Sequence, residues 1–481
     1  MTQVRPIGGG EGLFAKKAFA VGEIILREAS PLVQLSPKDD NDELKLFAAL
    51  GAMKSGETTF LATIKPPSLV DPDYKRIFRA MIQAILCFTE LDMNLNESKK
   101  VKLFQLYSPD LSNPSPEEAP IVKVSKQALE YIQKNAGRDS KTFHFVTSNP
   151  EKAQQIMLIW SCNSFEGGRI YDEHSRVNHS CSPNAVIQTE SEEQFIKAAS
   201  PLAEGDEISI SYLGLMLYSD RATRQQQLSL QKHFRCQCKR CISPEDIPAA
   251  IPCTHCHTRQ GRYLEEDVAY DDEETVHYMV PGQDHYHCEH CKTTIEKDNE
   301  SFAATLSVSQ KVAAHLRESA SEEDEEAEEF LEQLHQLAQM VTGARHWTTN
   351  LVSLLRLDAR LQHQHAALME GAELPDLADI AETVDALQRL WKYFEGLDLD
   401  IHPGHVLSAV VVGVARLLVS LGDEKSRTYC AWWVEKIRDY SDAFDNPGMK
   451  KVVEALLQAP CQDSNREIDK SNNVTKKQKT K

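Results

Sequence analysis

Asn178-His179-Ser180-Cys181-Ser182-Pro183-Asn184 and Phe234-Arg235-Cys236-Gln237-Cys238-Lys239-Arg240-Cys241 are the stretches on which the fold turns. Three thiols packed this closely point to a metal, and a tetrahedral zinc takes four ligands, with sulfur at ~2.3 Å. One ligand must therefore come from elsewhere. Cys181, in a tight polar loop beside Pro183, is the candidate. A second set, Cys253-Thr254-His255-Cys256 and Cys288-Glu289-His290-Cys291, forms two C-x2-C knuckles in a zinc-ribbon pattern. Its four cysteines satisfy a metal, so His255, His257, His287 and His290 are read as bystanders. Both sites are closed to water and hence structural. Each Zn2+ contributes folding free energy on the order of 10 kcal/mol.

Working outward, the chain has 481 residues, 41% hydrophobic and 26% charged, an ordinary globular composition. No apolar stretch approaches the ~20 residues of a bilayer span. The richest, Val406 to Leu421, is broken by Ser408, Gly413, Arg416 and Ser420. The start, Met1 to Gly12, lacks the apolar core of a signal peptide. Membrane and secreted classes therefore drop out, and cysteines in such a chain stay reduced and available to metal. Cytoplasm and nucleus are both compatible. The net charge of −19 argues against direct nucleic-acid binding, which rests on phosphate neutralisation, and suits a lysine-rich protein partner better. A monomer is expected.

The pattern along the chain is α+β. Short β-like runs, Leu13–Phe19 and Glu23–Glu28, lie in a first segment, 1–35. Residues 36–160 turn helical, with Leu44, Phe47, Ala48 and Leu50, then Ile77, Met81, Ile82, Ile85 and Leu86, at helical spacing. Residues 161–214 return to strands at Ala185–Gln188, Phe195–Ala198 and Glu207–Tyr212. A polar helix, Arg221–Lys232, leads into the first cysteine segment (215–242), and the second follows (243–299). An acidic run, Glu318 to Glu329, reads as solvated. Antiparallel helices occupy 300–460, including Tyr429–Tyr440 and a helix capped by Gly422, and 461–481 is a disordered tail. Cys87 and Cys162 read as buried hydrophobes; Cys430 and Cys461 carry no assignment.

With Cys181 set beside Cys236–Cys241, the chain resembles SET-domain methyltransferases. Asn178–Asn184 matches their N-H-S-C-x-P-N motif. Gly205-Asp206-Glu207-Ile208-Ser209-Ile210-Ser211-Tyr212 resembles the second motif, a turn and strand ending in tyrosine. Phe234–Cys241 resembles the post-SET zinc segment, and Gly10-Glu11-Gly12-Leu13 the N-terminal glycine turn. Within that group the split β region, Asn163-Ser164-Phe165 and the start Ile401-His402-Pro403 of a helical C-terminal domain are most similar to the SMYD family. That likeness implies a β-rich SET domain split by a helical insertion, followed by post-SET and zinc-ribbon-like segments and a TPR-like helical domain that takes peptide partners. Residues 30–160 hold one cysteine, Cys87, so no MYND finger forms there. Lys232 stands where relatives commonly carry a second tyrosine.

The resemblance implies S-adenosylmethionine-dependent methylation of a protein lysine, on a histone or non-histone substrate. Tyr212 would be the catalytic residue. Gly10, Glu11, Gly12, Asn178, His179 and Phe234 would hold the cofactor, Phe165 would wall the lysine channel, and Cys181, Cys236, Cys238 and Cys241 would tie the lid down. The alternative is a catalytically degenerate SET protein acting as a zinc-containing scaffold. A zinc hydrolase is excluded, because no open His/Asp/Glu metal site is visible in the sequence.

Overall fold

The computed structural model describes residues 2–421 apart from 8–9, 54–58, 92, 94, 260–275, 283–284, 298, 300–301, 319–324 and 370–376. The expected helix Tyr429–Tyr440, its neighbour's cap at Gly422, Cys430, Cys461 and the tail lie outside the described residues, as does the middle of the acidic run.

The fold is mixed α+β. Strands β1 (Thr2–Ile7) and β2 (Gly10–Ala15) form an antiparallel hairpin. β3 (Ile24–Glu28) then joins a three-stranded antiparallel sheet with β7 (Ala185–Glu190) and β8 (Glu193–Ala198), in the order β3-β8-β7. β4 (Val33–Gln34) pairs with β5 (Arg169–Ile170), bringing the two ends of the intervening helical block together. β6 (Asn178–His179) runs parallel to β9 (Ser209–Ile210). The strand expected over Glu207–Tyr212 is thus only two residues long. Around it, side chains and loop backbone take up the bonds that a longer ladder would have made. Leu13, Ala15 and Ile25 from one side of the insertion share a core with Val177, Ala185, Ile196, Ala198, Ile208 and Ile210 from the other.

The insertion has a core of its own around the helix Lys75–Glu90, where Phe78, Met81, Ile82, Ile85 and Leu86 are fully buried. The helices Ala119–Asn135 and Pro150–Asn163 pack against it; the second runs across the expected boundary at 160. Helix starts follow capping chemistry. Asp39 accepts from the Asp42 amide (2.8 Å), Asn96 from Lys99 (2.9 Å) and Ser140 from Phe143 (3.0 Å). The helix Asp40–Ala49 buries Leu46, Phe47 and Ala49 and leaves Leu44 51% exposed, so the apolar face is rotated from the expected one. Met81→Ala is expected to destabilise the insertion by about 2–5 kcal/mol, the cost of a cavity in a closed core. Urea unfolding followed by circular dichroism measures it.

The second cysteine segment is a four-stranded antiparallel sheet, β10 (Ile251–Pro252), β11 (Tyr278–Pro281), β12 (His285–Cys288) and β13 (Thr294–Glu296). Beyond it lie the helices Ala303–Glu318, Glu325–Thr342, Trp347–Met369, Leu377–Gly396 and Gly404–Leu421. Among the described residues no helix is long and apolar enough to cross a membrane. The helical region shares a core with the first cysteine segment: Tyr218 meets Phe394 edge-on at 4.7 Å, and Tyr393 donates to the Tyr218 carbonyl at 2.8 Å.

Candidate active site and metal centres

The loop 178–184 is held against the segment 207–212 by side chains as much as by backbone. Asn178 Nδ2 donates to the Glu11 carbonyl (3.0 Å) and to Glu207 Oε1 (2.9 Å), lacing three segments into one edge. The Ser180 amide bonds the Ile210 carbonyl at 2.9 Å. Asn184 donates to the Glu207 carbonyl and accepts from the Ser209 amide, both at 2.8 Å. The two-residue β6–β9 pairing is extended in this way into a rigid crossing.

Tyr212 ends that crossing. Its amide donates to His179 Nδ1 (3.0 Å), and its phenol donates to the Val177 carbonyl (2.5 Å). Because Nδ1 accepts, the ring proton of a neutral His179 sits on Nε2, which faces Cys181 Sγ at 3.2 Å. Burial keeps the ring neutral, with its pKa pushed down to about 4. Burial also raises the pKa of the Tyr212 phenol, so it stays protonated. The His179, Tyr212 and Phe234 rings cluster, with centroids 5.3, 6.0 and 6.4 Å apart.

The remaining expected residues are placed as follows. Gly10, Glu11 and Gly12 open β2. A Cβ on Gly12 would lie 2.9 Å from Glu207 Oε1 and 3.0 Å from Asn178 Nδ2, so the lacing of this edge requires glycine there. The Glu11 carboxylate pairs with Arg176. Phe165 packs, with Tyr212, on the shared β core, and its ring meets Tyr171 edge-on at 5.7 Å. Lys232, at the end of the helix Arg221–Gln231, donates from Nζ to the Cys162 carbonyl (3.2 Å) and stands 5.4 Å from the centre of the Tyr212 ring. Cys87 is fully buried, whereas Cys162 is half-buried.

The sulfurs of Cys181, Cys236, Cys238 and Cys241 all lie within 4.8 Å of one another, as do those of Cys253, Cys256, Cys288 and Cys291. Edges of 3.5, 3.6 and 3.8 Å are close to the ~3.8 Å edge of a tetrahedron with zinc–sulfur bonds of ~2.3 Å. A tetrathiolate zinc is doubly negative, and the first cluster sits beside cationic groups. Arg224 is wholly buried with Nε and Nη2 unpartnered, and Arg240 donates to the Cys181 carbonyl at 3.1 Å. Both sets fit zinc. At the second, His290 Nδ1 comes within 3.5 Å of Cys256 Sγ while stacking on His277, and His287 pairs with Glu289 at 3.2 Å.

Sequence reasoning missed Glu207 and Asn184 as the residues that lock the crossing, and Arg224 and Arg240 beside the first cysteine cluster. Asn184 closes the N-H-S-C-x-P-N stretch and Glu207 sits inside the second motif, so both carried a signal. The arginines carried none.

Residues 10–213 match the SET domain family. That stretch is a SET domain. It is distantly related to those of SMYD methyltransferases. Histone-lysine N-methyltransferase SMYD3 of Homo sapiens is 34% identical over 116 residues, 20% of this chain and 27% of that protein. Histone-lysine N-methyltransferase ASHR1 of Arabidopsis thaliana is 31% identical over 134 residues, 25% of this chain and 27% of that protein. N-lysine methyltransferase SMYD2-A of Xenopus laevis is 22% identical over 202 residues, covering 37% and 45%. The chain thus spans less than half the length of these three relatives. The SET domain of LSMT bound to lysine and AdoHcy overlaps 86% of this chain and 88% of that one, at a TM-score of 0.25 and 11% identity, too loose a likeness to carry an argument.

Proposed function

We propose that the chain is a protein-lysine N-methyltransferase that uses S-adenosylmethionine. The observation that carries this reading is the convergence of Asn178, Gly12, Tyr212 and Phe234 at one crossing beside a tetrathiolate cluster. When bound, the cofactor supplies a methyl group on a sulfonium. The Gly10–Gly12 edge, with Glu11 lending its backbone, and the Asn178 amide would take its amino-acid end, helped by the His179 main chain. Phe234 would cover its adenine.

The Tyr212 proton is committed to the Val177 carbonyl, so the phenol oxygen offers lone pairs to whatever enters. It would accept from the incoming amine N–H and from polarised methyl C–H groups, aligning an in-line displacement. Tyr212 and Phe165 would shield the amine from water, which favours the neutral nucleophile over an ammonium of reference pKa ~10.4. The zinc held by Cys181, Cys236, Cys238 and Cys241 would fix the lid that carries Phe234. The second zinc would hold the ribbon, and the TPR-like helices would offer a platform for peptide partners. The substrate would be a lysine-bearing protein.

Calorimetric titration with S-adenosylmethionine tests the reading. One cofactor is expected to bind per chain. Gly12→Ala is expected to weaken binding at least about tenfold, because the added Cβ displaces Asn178 or Glu207. A wild-type protein that binds no cofactor would leave the scaffold reading in its place.

A further inference from the structure

Lys232 is the one amine that the described residues bring to the Tyr212 ring, and its position is built rather than incidental. Two successive residues are tied to two successive residues at the end of the helix Pro150–Asn163. Lys232 Nζ bonds the Cys162 carbonyl (3.2 Å), and the buried His233 ring bonds Ser161 Oγ (3.1 Å). His233 holds a left-handed backbone, φ +63, which turns the chain toward Phe234 and fixes where the Lys232 side chain leaves it. Phe165 follows Cys162 closely in sequence. The amine therefore lies between the segment that carries Phe165 and the residue that ends the crossing.

An amine-recognising site needs an aromatic face, a carbonyl to orient one N–H, and dry surroundings. Lys232 has the aromatic face and the carbonyl, and it is half-buried. Burial lowers its pKa, against a smaller opposing influence of Cys162, which makes the neutral form that owns a lone pair easier to reach than for a lysine in water.

We infer that Lys232 is an internal occupant of the amine site and is itself methylated in cis. The inference rests on the proposed activity. The Nζ lone pair forms a bond to the methyl carbon as the carbon–sulfur bond breaks. The electron pair of that bond stays on sulfur, giving S-adenosylhomocysteine. Lys232 becomes a methylammonium, which can shed a proton to water. In the unmethylated protein the same amine competes with an incoming lysine.

The full chain, incubated with cofactor carrying a deuterated methyl and with no added substrate, is digested and analysed by mass spectrometry. The label is expected on the peptide containing Lys232, at a rate constant independent of protein concentration, and absent from Lys232→Arg. A second readout needs no cofactor. Lys232→Ala is expected to be stabilised against heat by n-butylamine, which fills the vacated place, whereas the wild type is not. Should the alanine variant fail to fold, Lys232→Met serves for the same measurement. Cofactor binding without label on Lys232 overturns the inference, as does a rate constant that rises with protein concentration. A chain that binds no cofactor overturns the proposed activity and this inference with it.

Discussion

Cys238→Ser is expected to lower the zinc content of the purified chain from two per chain to one and to abolish cofactor binding. The four sulfurs of its cluster come from two places, Cys181 in the loop 178–184 and the trio at 236–241, so the metal closes a loop between them. Structural zinc contributes roughly 10–16 kcal/mol in small domains. Serine is a poor replacement for a thiolate, and Cys181, Cys236 and Cys241 would be left as buried thiols around an incomplete site. Backbone support is thin here. Gln225 clasps Cys236 through its amide (3.0 Å) and carbonyl (2.7 Å), and Arg240 ties the segment to the Cys181 and Leu217 carbonyls (3.1 and 2.6 Å), so zinc would add the link between the sulfurs themselves. Elemental analysis and calorimetry on the same sample read the two effects. Cys256→Ser provides the contrast, since it should remove the other zinc while leaving the His179–Tyr212 geometry and cofactor affinity intact. Retention of both metals and of cofactor affinity in Cys238→Ser would refute the role given to the cluster.

Tyr212→Phe is expected to lower methyl transfer by about 10²–10³-fold, the usual cost of removing one aligned polar group at a reacting centre. The fold should survive, because the loss of the bond to the Val177 carbonyl costs about 1–3 kcal/mol. Cofactor affinity should stay within about twofold, since the backbone and ring that pack against His179 and Phe234 remain. Incubation with labelled cofactor and a cell lysate, wild type beside variant, shows which protein bands depend on the phenol. Equal labelling by both proteins would remove Tyr212 from the chemistry.

Legibility in the sequence followed the range of the interactions. Cysteine spacing announced both tetrathiolate sets, since two or three ligands of each are local and zinc demands a fourth. Asp39, Asn96 and Ser140 cap their helices by bonds within the first turn, a local signal that the sequence reading did not use. The crossing at 178–184 was visible only as a motif. Its bonds from Asn178 and Asn184 to Glu207, Ser209 and Glu11 join segments far apart in the chain and leave no periodic trace. The buried arginines fall in the same class. Arg224 lies on a helix that reads as polar, and burial of its guanidinium follows from the cysteines and Asp246 beside it. Leu44 shows the opposite failure: its periodicity was local and clear, but packing against Phe60 kept the expected Phe47 in the core together with Leu46 and left Leu44 outside.

The pairing of β4 with β5 bears on how the chain is made. β3 emerges from the ribosome early, yet its partner β8 follows only after the whole insertion has been synthesised. At ~5–20 residues per second that leaves an unpaired strand edge exposed for about ten seconds or more. The insertion, with a core of its own, can collapse in that interval and draw its two ends together. Closed in that order, it would hold the nascent strand ready for its late partner and shorten the time in which that edge could find a wrong one.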